Sequence, residues 1–459
     1  MSEQVANPIF TAAAPAAGDV ETSTMKRVMT RVVPLLIISY IVSYLDRVNV
    51  GFAALTMNRD LGFSTAVYGL GASIFFISYF VLEVPSNLAL NRFGARRWIA
   101  RIMFSWGLIS GAMGFIPQIS AATGFSNEAV FYSLRLLLGA AEAGFFPGII
   151  FYLTLWFPAQ YRARVIGYFM TALPLASVIG APLSGWLLGL GDNAGGGGMA
   201  GWQWMFILEA IPAIVLSAVI LFWLTDLPKD ATWLEPRQRE WLTRTLASEA
   251  EETNAAAGSN HIGIFKALTH PIVLLLGLVY FSVVMMNYTL GFFLPTIIKG
   301  FGLSNLQTGF AAAVPALVGA ISMVVWGRRS DRRGERKWHL VFALAVGAVC
   351  FGLAGVFESP WLIMLSFSIA AFGIYGSQPV FWTFPSTFLT GGAAAAGIAV
   401  INSMANLSGF FGANIMARVK DATGSFNDGL LLAAGLAAIS AIAVAVALRQ
   451  ARVAAPRKS

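Results

Sequence analysis

The sequence predicts an all-α integral membrane protein of twelve transmembrane helices, built as two six-helix pseudo-repeats. Three observations predict it. The 459 residues are 57% hydrophobic and only 11% charged, with mean hydropathy +0.71. A soluble domain carries about 25% charged residues, so there is too little polar surface here to coat a globule in water. Twelve runs of about 20 apolar residues are each long enough to cross the hydrocarbon. A basic loop motif also occurs twice, at the same place in each half of the chain.

The runs lie at roughly 32–55, 67–90, 98–118, 128–157, 165–190, 204–225, 271–298, 305–327, 339–357, 361–386, 394–417 and 429–448. They must be helices, because an open strand edge in lipid leaves backbone groups unpaired. Residues 1–25 are rich in Ala, Pro, Ser and Thr and have neither the basic start nor the apolar core of a signal peptide. They read as a disordered cytosolic tail. Residues 26–225 form an N-terminal six-helix bundle, 226–270 a polar cytosolic linker with an amphipathic helix around 241–246, and 271–449 a C-terminal six-helix bundle. Residues 450–459 are a second cytosolic tail.

Lysine and arginine set the orientation. Most of the 30 fall in the termini, the linker and alternate loops. The opposite side holds Arg59, Lys299, Arg418 and Lys420, while Arg47 and Arg135 lie within spans. Cationic loops stay in the cytosol, so both termini are expected there. The net charge of +8 is then a record of topology and not a nucleic-acid surface.

The repeated loop joins the second and third spans of each half. Asn87-x3-Asn91-Arg92-x-Gly94-x-Arg96-Arg97 matches Gly327-x3-Asp331-Arg332-x-Gly334-x-Arg336-Lys337 in spacing. Parallel six-helix repeats are the layout of a transporter that rocks about a site between its halves.

The twelve spans and this loop resemble the major facilitator superfamily, and within it the anion:cation symporter family. The stretches that carry the resemblance are "YLDRVNVGFAALTMNRDLGFS", "VPSNLALNRFGARRWIA", "LLGAAEAGFFPGIIFYLTLWFPAQYRAR", "GWQWMFILE" and "GIAVINSMANLSGFFG...KDATGSFNDG". Together they extend from about Met25 to the C-terminus and are similar to bacterial permeases for hydroxyphenylacetate, phthalate and tartrate.

A charge at mid-helix costs about 2.5–3.5 kcal/mol to insert, so each one needs a reason. The spans hold Asp46, Glu83, Glu142, Glu209, Arg47 and Arg135, all in the first half. In the first span Tyr40, Tyr44 and Arg47 share a face. Ser39, Ser43 and Asp46 form a stripe about 100° away. Arg135 and Glu142 are two turns apart, about 10 Å along the fourth span, and each is placed to meet something on another helix. Two readings compete. Asp46–Arg135 and Arg47–Glu142, or the reverse, are fixed ion pairs that hold helices together; or the cluster binds an anion and passes a proton. The resemblance implies the second: Arg47 meets the substrate carboxylate, Asp46 and Glu142 carry the proton, and Arg135 pairs with Glu142.

Glu83 reads as a gate or loop ion pair and Glu209 as structural. Tyr79 matches a substrate-contacting tyrosine of the relatives. The second half offers neutral polar groups that must face the interior: Asn287, Tyr288, Gln378, Trp382, Asn402 and Asn406. By resemblance Trp382 and Asn402 line the substrate. Leu173 stands where sugar-acid relatives place an amide, which argues against a heavily hydroxylated substrate. The loop residues Asn91, Arg92, Arg96, Asp331 and Arg332 are expected to tie helix ends together in one conformation, with Asn91 in place of the usual aspartate.

Other chemistries are set aside. The lone cysteine, Cys350, excludes an internal disulfide and a cysteine metal site. His261, His270 and His339 are far apart, so no metal site is expected. No Walker A motif occurs, and Gly189-x-Gly191-x-x-Ala194 ends a membrane helix and is no dinucleotide turn. The expectation is a non-enzymatic, cofactor-free, monomeric carrier of the inner membrane, driven by the proton gradient and importing an aromatic acid or dicarboxylate. An anion exchanger or uniporter, and a non-transporting acid sensor, are the alternatives.

Overall fold

The computed structural model describes residues 17–191, 198–257, 270–385 and 392–447. Residues 1–16, the C-terminal tail, linker residues 258–269 (with His261) and the glycine-rich 192–197 lie outside the described residues. The described chain is helical throughout, with no strand.

The first half runs α1 (Ala17–Leu61), α2 (Thr65–Phe93), α3 (Ala95–Ala112), α4 (Ile116–Thr123), α5 (Asn127–Glu142), α6 (Phe145–Trp156), α7 (Ala159–Met170), α8 (Ala172–Leu188) and α9 (Gly201–Trp223). The linker contributes α10 (Pro236–Ala257). The second half runs α11 (Pro271–Lys299), α12 (Asn305–Arg333), α13 (Lys337–Ala354), α14 (Pro360–Phe381), α15 (Gly392–Thr423) and α16 (Asn427–Ala447). Eleven helical stretches are long and apolar enough to span a membrane; α15, with 32 residues, takes the place expected for the remaining one.

Local signals explain the boundaries. Ser64 accepts from the Val67 amide at 3.1 Å and caps α2; Ser126 does the same for α5 through Ala129 at 3.2 Å. At α12, Ser304 and Gln307 close a reciprocal capping box. The chain departs from expectation at several places, two of which bear on the site. α1 begins at Ala17, inside the stretch read as a tail, because Asp19 suits the first turn and Glu21 bonds Gln160 and Tyr161. The fourth span is two helices, broken after Glu142. Gly144 takes φ +84°, and a side chain there would collide with Ser86.

Each half repeats one packing scheme. α1 lies against α8 and α9, α3 against α5 and α9, and α2 against α5. In the second half α11 lies against α15 and α16, α13 against α14 and α16, and α12 against α14. Across the seam α1 meets α11, α2 meets α15 and α8 meets α12, so the repeats are related by an approximate twofold.

These seam contacts concentrate at the end away from the linker, called here the far end. A side chain on Gly51 would overlap the Gly291 carbonyl, and Tyr68 donates to the Phe292 carbonyl at 2.9 Å. The Ala66 amide donates to Asp421 at 2.7 Å. Toward the linker end the seam carries one polar tie, Asn402 to Glu83 at 3.2 Å. α10 is strapped to the first half by Arg27–Glu235 at 3.0 Å and Arg162–Glu249 at 3.0 Å.

The two basic loops differ in partner. In the first, Asn91 and Arg92 are exposed, and the carboxylate comes from Asp226, just after α9. Asp226 accepts from the Arg96 amide at 2.8 Å and lies 3.8 Å from its side chain. In the second, Asp331 pairs with Arg336 at 2.5 Å while Arg332 is exposed. Glu335 accepts from the amides of Trp338 (2.7 Å) and His339 (3.1 Å) and meets the His339 ring at 2.6 Å. Partial burial pushes its carboxyl up, but these partners outweigh burial and hold it below the usual range. A lowered carboxyl supports the fold above its ordinary value of about 4.3 and loses that support as pH falls through the lowered one. Glu335→Gln should therefore lower the amide protection factors of Trp338 and His339 at neutral pH, and acid should lower them in the parent protein.

Candidate functional site

At mid-seam the halves enclose a cavity of about 60 Å³. That is room for a few waters, and a carboxylate would need the halves to part. Among the expected binding residues Tyr44, Arg47, Tyr79, Asn287, Tyr288, Gln378 and Asn402 line it. Trp382 does not; it packs edge-on to Tyr280, ring centroids 4.9 Å apart, and Tyr280 is the residue at the wall.

Arg47 is the cavity's cation. Its guanidinium forms a very short ion pair with Glu142, donates to the Tyr288 hydroxyl at 3.0 Å, and lies over the Tyr79 ring at 5.2 Å. Its Nε has no partner. Ser43 donates to the same Glu142 oxygen at 2.8 Å. Glu142 is the last residue of α5 and is buried against Arg47 and Ser43 of α1.

Asp46 points the other way. It accepts from Trp106 Nε1 at 2.8 Å and Ser110 at 3.2 Å on α3, with Asn49 3.5 Å away. The two neighbours in sequence thus serve different faces of α1, as their 100° offset allows.

Arg135 corrects the sequence reading. It pairs with neither Asp46 nor Glu142 and is absent from the cavity wall. Fully buried, it donates to the Gly71 and Ala72 carbonyls of α2 at 3.1 and 2.9 Å, under the Phe75 ring. The i, i+7 spacing within α5 leaves Glu142 out of its reach, and α2 is the closer neighbour. Glu83, expected as a gate or a loop partner, bonds across the seam to Asn402 and not to the basic loop.

Sequence reasoning missed Tyr280 and Phe146 at the wall, and Asp226 at the loop. Tyr280 was within reach: Tyr280, Val284, Asn287 and Tyr288 form an i, i+4, i+7, i+8 stripe. Phe146 was not, because Gly144 and Pro147 permit a break without showing which way the ring is turned.

The Major Facilitator Superfamily model matches residues 36–413. The chain belongs to this superfamily. A protein named "Putative tartrate transporter" from Agrobacterium vitis is 49% identical over 433 residues, 94% of this chain and 96% of its own. The quinolone resistance transporter of Acinetobacter baumannii is 41% identical, covering 90% and 92%. Among solved structures, the xylose transporter XylE of E. coli superposes with TM-score 0.73 at 15% identity, over 93% and 99% of the two chains, and so shares the fold. This superfamily member is a multi-pass membrane transporter and not an enzyme.

Proposed function

We propose that this protein is a proton-coupled symporter that imports a small organic carboxylate, a dicarboxylate or aromatic acid, across the inner membrane with both termini cytosolic. One observation supports it most. Arg47, the cation at the cavity wall, is held by an acid, Glu142, and a second carboxylate can compete for it. Bidentate pairing with a carboxylate is what a guanidinium does best. When substrate takes Arg47, Glu142 is left buried without a counter-charge, and the neutral acid is then the cheaper form. Substrate and proton enter together. Asp46, held by Trp106 and Ser110 of α3, is the second acid of the scheme. Tyr40, Tyr280, Tyr288 and Phe146 give the cavity an aromatic wall that suits an apolar acid body, and relatives named for tartrate support the carboxylate. The far-end seam and the two basic loops act as gates, and the protein works as a monomer.

The test is reconstitution. Proteoliposomes with an imposed pH gradient, acid outside, should accumulate labelled tartrate or phthalate. A protonophore should collapse accumulation while leaving counterflow. Counterflow with no response to the gradient would make the protein an exchanger.

A further inference from the structure

Glu209 was read from sequence as structural, and its surroundings give it more to do. It lies on α9 with a relative exposure of 3%, accepting from Ser184 of α8 at 2.6 Å through one oxygen. The other oxygen has no partner. It borders an apolar crevice of about 230 Å³ walled by Val42, Leu45, Leu183, Leu187 and Leu208. The ionisable group that faces it is Asp46 of α1, with Asn49 beside both. α3 contributes Trp106 and Ser110 here and α8 contributes Ser184, none of them charged. Arg47 is committed to a different face of α1. Two buried carboxyls thus sit on packed helices, α1 and α9, each held by neutral donors and neither in an ion pair.

A second cavity lies beside the partners of this pair. It holds about 50 Å³ beyond Tyr44 on the far-end side, and Asn49 and Ser184 are in its wall. Tyr44 and Asn287 line both this cavity and the central one, and Asn287 donates to the Tyr44 hydroxyl at 2.8 Å. That bond separates a far compartment touching the partners of Glu209 and Asp46 from a near one containing Arg47. We propose that Glu209 and Asp46 form a shared proton-binding pair, loaded from the far side through Ser184 and Asn49, with Glu209 as the portal to the coupling site. As the pair loads, one O–H bond of a far-side hydronium breaks and one forms on a carboxyl of the pair, leaving neutral water; as it unloads, that O–H bond breaks and one forms on the Glu142 carboxylate toward the linker side. The inference rests on the symport reading above.

The experiment compares parent, Glu209→Gln, Glu209→Asp and Ser184→Ala proteins in tartrate-loaded and empty proteoliposomes. Glu209→Gln should lower gradient-driven accumulation roughly 5- to 150-fold, the range of an ordinary coupling free energy. Counterflow, which needs no net proton movement, should persist. Glu209→Asp should restore accumulation, and Ser184→Ala should slow it with counterflow intact. Infrared spectra should show a protonated-carboxyl band in the parent that Glu209→Gln removes. Full accumulation by Glu209→Gln overturns the inference and leaves symport standing. So does equal loss of accumulation and counterflow in Ser184→Ala, which marks a packing role. A parent protein that ignores the gradient sinks the symport reading, and this inference with it. Should Glu209→Gln fail to fold, Ser184→Ala and the infrared band of the parent decide.

Discussion

Arg47→Ala should abolish carboxylate transport, and Arg47→Lys should restore little of it. The alanine leaves Glu142 buried with only Ser43 as a partner and removes the cation from the cavity wall. Truncating one member of a buried charge pair costs about 2–5 kcal/mol, a loss of roughly 30-fold or more. Lysine supplies a point charge but not the planar fork that holds Glu142, Tyr288 and a substrate carboxylate in turn. The measurement is counterflow and binding by thermal shift in the same preparation. Binding that survives Arg47→Ala would remove Arg47 from substrate recognition. Arg135→Ala is the contrast. It removes two bonds that tie α5 to α2 and leaves a cavity under Phe75, so the melting temperature should fall while the surviving folded protein keeps its substrate affinity.

Gly51→Leu should hold the far end open. A side chain at this position meets the Gly291 carbonyl and the Phe292 backbone, where α1 and α11 touch. Backbone cannot rotate away as a side chain can, so the closed form alone bears the clash. Overpacking of about 1–3 kcal/mol shifts a two-state equilibrium roughly 5- to 150-fold. Leu294 lines the cavity on the far side, and Leu294→Cys in a Cys350→Ala background reports on it. Labelling from outside by an impermeant thiol reagent should rise in Gly51→Leu, and transport should fall. Unchanged labelling would mean the far-end seam is no gate.

The fold was legible in the sequence because lipid imposes one rule everywhere. A twenty-residue apolar run can only be a helix, so all twelve spans could be placed by counting. The duplicated loop likewise foretold the repeated packing, in which α1 relates to α8 and α9 as α11 does to α15 and α16. The site was legible only in part. Tyr44, Arg47 and the second-half amides could be assigned by face, since a helix fixes direction relative to its neighbours in sequence. Which acid meets which base could not, because tilt and helix breaks decide it. Glu142 meets Arg47 from the last residue of α5, beside a break marked by Gly144 and Pro147, and Arg135 bonds carbonyls, which every residue carries. Asp226 was hidden for another reason. It fills the role of the aspartate that Asn91 replaces, from a loop remote in sequence.

The seam between the halves has one further property. Every salt bridge among the described residues lies on one side of it. The bonds that cross it, such as Arg47 to Tyr288, Tyr68 to Phe292, Ala66 to Asp421 and Asn402 to Glu83, join a charge to a dipole or a dipole to a dipole. Such bonds can be exchanged for water one at a time, without ever separating opposite unit charges. Ionic strength screens charge–charge attraction over about 8–10 Å but scarcely touches contacts of this kind. On the proposed mechanism the swing between two open forms is thus insulated from the salt on either side of the membrane, while a substrate carboxylate that competes for Arg47 retains its hold on it.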